Sequence, residues 1–94
     1  MTDIAVETSE TPTGWEATVS VAEETTGQFT VNLNRQYYEE ITAGDYTPEK
    51  LIEASFEFLL DRESKESILS RFDLPVIKRY FPEYERKIVD YLER

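Results

Sequence analysis

The residues whose types and spacing could do chemistry are concentrated in one stretch, Ser70-Arg71-Phe72-Asp73-Leu74-Pro75-Val76-Ile77-Lys78-Arg79-Tyr80-Phe81-Pro82-Glu83-Tyr84. Its pattern predicts a helix, a sharp turn at Asp73 and a second helix, which is the outline of a helix-turn-helix. Arg71, Lys78 and Arg79 stand beside aromatic residues, a mixture suited to phosphate contact and base stacking. Arg86 and Lys87 extend the basic set. Together with Tyr80 and Tyr84 these five bases are the candidate partner-binding residues. Two features weigh against nucleic acid. Pro82 ends the second helix after about two turns, and the acids Glu63, Glu66, Glu83 and Glu85 flank the region. In the plainer reading Phe72, Leu74, Ile77, Tyr80 and Phe81 are core, and the bases are solvated or salt-bridged.

Other reactive groups are few. The chain has no cysteine and no histidine. Disulfides, thiolate chemistry and Cys-ligated metals are therefore excluded, and the commonest general base is missing. Glu23/Glu24 and Glu39/Glu40 are adjacent carboxylates. Sequence neighbours do not face each other on a helix, so solvated acids explain them better than a metal or acid–base pair. Ser55 lies among apolar residues, where a hydroxyl bonding back to the Leu51 carbonyl is expected in place of a nucleophile. No catalytic residue, metal ligand or cofactor site is assigned. The six tyrosines are many for 94 residues. Tyrosine favours interfaces, being apolar with a polar tip, and core packing with the hydroxyl at the surface serves nearly as well. Trp15 reads as core or rim.

Charge separates the chain into halves. The net charge is −10, and residues 1–49 hold ten acids against the single base Arg35. Residues 50–94 are nearly balanced, with ten acids and nine bases. The first half should repel nucleic acid and anionic membrane. Such acidity suits a high-salt cytoplasm, but glutamate outnumbers aspartate fifteen to five, and ordinary solubility accounts for it as well. The start of the chain is acidic where a secretory signal needs a basic region and an apolar run. No stretch approaches the ~20 apolar residues of a membrane span. A cytoplasmic protein without membrane contact is expected.

The elements that must position these groups are organised around one helix. Thr47 caps it, Pro48 takes its first position and Glu49 faces the positive end of its dipole. At about 100° per residue, Leu51, Ile52, Ser55, Phe56, Phe58, Leu59 and Leu60 fill an arc of roughly 200°, while Lys50, Glu53, Ala54, Glu57 and Asp61 lie opposite. A surface helix needs only about 100°, so this one should pack on two sides. Before it, Trp15, Ala17, Val19 and Val21 alternate with polar residues, as do Phe29, Val31 and Leu33, with Gly27 closing the turn between them. The two runs read as an antiparallel hairpin. Asn34 caps a short helix that Gly44 stops. Ile4 and Val6 allow a short edge strand, yet residues 1–13 read slightly better as a flexible tail. After the charged break Asp61-Arg62-Glu63, Ser64 caps a short helix carrying Ile68, Leu69 and Phe72. Asp73 caps the next, and Pro82 opens a last helix with the stripe Tyr84, Ile88, Tyr91 and Leu92.

The run Ser55-Phe56-Glu57-Phe58-Leu59-Leu60-Asp61-Arg62-Glu63, with Ile68 to Ile77 and Tyr80-Phe81-Pro82-Glu83-Tyr84, resembles a family of small uncharacterised prokaryotic proteins over about residues 47–86. That resemblance implies a compact bacterial or archaeal cytosolic domain and carries no activity. A strand pair followed by a Pro-started apolar helix with the Ala54-Ser55 pair is also similar to the N-terminal half of OsmC-type hydroperoxide reductases. Those enzymes use two reactive cysteines; this chain has none, so the resemblance brings no peroxidase chemistry.

The expected fold is α+β, in one domain over residues 14–94. An antiparallel hairpin or three-stranded sheet packs on the central helix, and short C-terminal helices follow. The expected function is a non-enzymatic protein-interaction or regulatory module, with a protein partner or a second copy meeting the hairpin edge. Nucleic-acid binding through the basic-aromatic C-terminal helices is the second reading, and a carboxylate-based enzyme the third.

Overall fold

A computed structural model describes residues 2–94. Strands β1 (Asp3–Thr11), β2 (Gly14–Ala22) and β3 (Thr26–Asn34) run as an antiparallel meander. Alternation decides which face is covered. Ala17, Val19 and Val21 of β2 and Val31 of β3 have no exposure, and Phe29 and Leu33 almost none. Glu7, Glu16, Thr18 and Gln28 alternate with them and face solvent.

Of the two readings of residues 1–13, tail or short edge strand, the edge strand forms, over Asp3–Thr11 and nine residues long. Ile4 and Val6 are its only aliphatic residues on the covered face, set opposite Val21 and Val19. Backbone pairing along β2 holds the rest, with Thr8 donating to Glu49 and Glu10 pairing with Arg35 at 3.7 Å. The turn at Pro12-Thr13 sends the chain back, with the Gly14 N–H donating to Thr11 Oγ1 at 3.1 Å. Gly14 is required where it stands, since a Cβ there would lie 2.1 Å from the Leu33 carbonyl oxygen. Such close backbone approach admits only glycine.

Of the four predicted caps, Asn34 and Thr47 form, while Ser64 and Asp73 make no capping bond. Asn34 Oδ1 accepts from the Tyr37 N–H at 2.7 Å and starts α1 (Arg35–Thr42). Thr47 Oγ1 accepts from the Lys50 N–H at 3.1 Å and starts α2 (Pro48–Leu60). Between them the chain turns through two left-handed residues, Ala43 at φ 51° and Gly44 at φ 79°.

The wide arc of α2 does pack on two sides. Phe56 points to the sheet, its ring 5.2 Å from Phe29 and 6.1 Å from Phe72. Phe58 points the other way, edge-on to Tyr84 at 5.2 Å and Tyr91 at 5.7 Å. Ala54 is fully buried as well, so the covered surface is wider than the arc drawn from the sequence.

The region after α2 differs from expectation. The helix expected to carry Ile68, Leu69 and Phe72 is absent. Ser64 leads into a single 3₁₀ turn, Lys65–Ser67, and the chain then extends into β4 (Arg71–Asp73). This strand lies parallel to β3, with Phe72 opposite Val31, and completes a sheet of order β1-β2-β3-β4. The Thr30 N–H bonds the Ser70 carbonyl at 2.8 Å. An isolated helix of two turns is marginal, whereas the open edge of β3 offers ready partners. The helix-turn-helix is therefore not formed. A second 3₁₀ turn, Leu74–Val76, leads to α3 (Ile77–Tyr80) without a side-chain cap from Asp73. In α4 (Tyr84–Leu92) the residues Tyr84, Ile88, Tyr91 and Leu92 are all buried, as the stripe required. The molecule is an α+β sheet packed against helices, with a radius of gyration of 12.3 Å. Among the described residues no helix is long and apolar enough to cross a membrane.

Candidate functional site

The change from helix to strand at Phe72 creates a groove. Its floor is Leu59, Ile68, Phe72 and Ile77, all buried. Val76 and Phe81 form half-buried walls. Glu63, Ser67, Leu69 and Tyr80 stand at the rim, around a volume of about 180 Å³. Leu69 is 49% exposed and Tyr80 66%, and both belong to the stretch the sequence would place in helical cores. Together with Val89 they are the large apolar side chains the fold leaves open among the described residues.

Glu63 is the one carboxylate among the lining residues. Its N–H closes the end of α2 on the Leu59 carbonyl at 2.9 Å. Among the described residues no base lies within ion-pairing distance of its carboxylate. Burial against the apolar walls raises its carboxyl above the usual range. Neighbouring charges are matched elsewhere. Arg62 Nε meets Glu83 at 3.0 Å and its guanidinium lies 3.7 Å over the Phe58 ring. Lys65 is buried, its ammonium held by Glu23 at 3.2 Å and Glu66 at 2.9 Å.

The candidate partner-binding residues are spread over three elements. Arg71 is on the open face of the sheet, 3.8 Å from Glu16. Lys78 pairs with Glu85 at 3.4 Å and lies over the Tyr37 ring. Lys78 and Arg79 line an open cleft with Trp15 and Asn32, on which Arg71, Arg86 and Lys87 do not border. Arg86 and Lys87 are exposed on α4. Tyr84 is corrected: it has no exposure, and its hydroxyl bonds Ser55 at 2.6 Å inside the core. Ser55 in turn donates to the Leu51 carbonyl at 2.7 Å, the structural role expected of it.

The tyrosine excess is mostly internal tethering. Tyr37 donates to Glu85 at 2.9 Å, Tyr38 to the Tyr46 carbonyl, and Tyr91 to Asp61 at 2.5 Å. Burial pushes the Tyr37 and Tyr84 phenols far above their ordinary values. Tyr80 is the tyrosine left facing outward. Trp15 is half-buried, edge-on to Tyr38 at 5.0 Å and covered by Arg35 at 4.6 Å, so it is rim.

Sequence reasoning missed Glu63 and Leu69. Glu63 sits in a run of charges that looks like a solvated break, and Leu69 fits a helical stripe. Nothing local marks either one, because the groove comes from the long-range seating of β4 on β3. No family model, no curated protein and no solved structure matches the chain.

Proposed function

We propose that this chain is a non-enzymatic protein-interaction module of the cytoplasm, a regulator or small subunit, that receives its partner at the groove beside β4. The observation that carries this reading is the exposure of Leu69 and Tyr80 at the rim of a buried apolar floor. Exposed apolar surface rimmed by polar groups marks contact sites, and tyrosine is enriched there. The outer edge of β1 is a weaker candidate for a second copy, since Asp3, Glu7 and Glu10 of two like-charged chains would meet. Spread over three elements, with Arg71 and Lys78 paired to Glu16 and Glu85, the basic residues form no single patch and give little support to nucleic-acid binding.

The test is affinity capture from the native host with wild-type and Leu69→Asp baits. Leu69 is half exposed, so the substitution should leave stability within about 0.5 kcal/mol. A partner retained by the wild type and lost from the variant is expected. Partners that ignore Leu69, in repeated trials, overturn the assignment.

A carboxylate-based enzyme is the second reading, favoured by the raised carboxyl of Glu63. Turnover of a groove ligand, abolished in Glu63→Gln with binding unchanged, would move the assignment there.

A further inference from the structure

We propose that the groove takes a segment of a partner protein in which a lysine or arginine adjoins a bulky apolar residue. The basic side chain pairs with Glu63, and the apolar one seats on Phe72 and Ile77. This deepens the interaction-module reading and rests on it.

Charge is the argument. A half-buried carboxylate in apolar surroundings is costly unless a cation or donor meets it. Within the chain the nearby bases are engaged: Arg62 with Glu83, Lys65 with Glu23 and Glu66. A cation to pair with Glu63 would therefore come from outside the chain. Shape supplies the second half of the motif. The groove's volume of about 180 Å³ exceeds the ~150 Å³ of a cavity that holds benzene, so it accepts one large apolar side chain. Tyr80 presents a ring that a neighbouring guanidinium can cover. A free amine would be a poor occupant, because small-molecule sites bury most of their ligand and this rim is open. A peptide continues across Leu69 and Tyr80 instead. The chain's net charge of −10 favours encounter with a basic segment.

Random short peptides displayed on phage can be selected on the folded wild-type protein and counter-selected on Leu69→Asp. Synthetic forms of the selected peptides, and versions with the basic residue replaced by glutamine, are then titrated against wild type and Glu63→Gln at low and high salt. Selected peptides should carry Lys or Arg next to Phe, Leu, Ile or Trp. Glutamine replacement should weaken wild-type binding about tenfold, as a charge-assisted contact implies, and should matter little in Glu63→Gln. Leu69-dependent peptides without a basic residue, or an equal loss on Glu63→Gln, overturn the pairing and leave the interaction groove standing. Failure to obtain any Leu69-dependent peptide overturns both.

Discussion

The hydroxyl of Tyr84 stands 2.6 Å from that of Ser55, with both side chains fully buried between α4 and α2. Ser55 commits its single proton to the Leu51 carbonyl, so Tyr84 is the donor of the bond that joins the helices. The two ends of this bond are not equivalent. Tyr84→Phe leaves Ser55 bonded within its own helix and should cost about 1 kcal/mol. Ser55→Ala strands a buried phenol and should cost about 2–3 kcal/mol. Adding Tyr84→Phe to Ser55→Ala should then restore stability in part. Urea midpoints of the three variants check this order, and a less stable double variant would contradict it.

Glu63 and Glu83 should give opposite pH dependences. The Glu63 carboxyl is raised by burial, so its penalty is absent below the unfolded pKa and grows as pH rises through the folded one. Glu83 is lowered, by a backbone N–H bond at its own position and then by the Arg62 guanidinium. Its contribution is present above the unfolded pKa and disappears as pH falls through the folded one. Glu63→Gln should therefore raise the melting temperature near neutrality, and Glu83→Gln should lower it. Both differences should shrink as pH falls toward about 3, where ordinary carboxylates are protonated, that of Glu83 last because its carboxyl is lowered. Melting curves at neutral and acid pH measure this; shifts of the same sign at neutral pH would refute it.

Ala43 holds the left-handed position that ends α1, at φ 51°. Left-handed backbone costs a non-glycine residue about 1–2 kcal/mol, of which glycine's greater unfolded-state freedom returns part. Ala43→Gly should stabilise the protein by about 0.5–1 kcal/mol, a rise of a few degrees in Tm for a chain of this size. Thermal unfolding of the single variant is sufficient to decide it.

What the sequence made legible was local. Asn34 and Thr47 cap through side chains that reach a backbone N–H three residues on. Ala17, Val19 and Val21 alternate because one face of β2 is covered. Those signals need only a few neighbouring residues. The edge strand β1 was harder, since Ile4 and Val6 are the only aliphatic residues on its covered face and its pairing along β2 leaves no local signal. β4 could not be read at all. Ile68, Leu69 and Phe72 satisfy a helical spacing, and only the free edge of β3, some forty residues earlier in the chain, makes Phe72 a strand residue. The groove and the isolation of Glu63 follow from that pairing and were hidden with it.

β4 brings three residue pairs to the sheet, against nine in each of the other ladders. Amide protection follows such differences, so this ladder opens at a lower free energy than the meander. When it opens, Phe72 leaves the floor of the groove while the two hairpins persist. A partner seated on Phe72, as proposed, would bind only the closed arrangement. Its binding would therefore lock the weakest ladder of the sheet and stiffen backbone that the partner never touches.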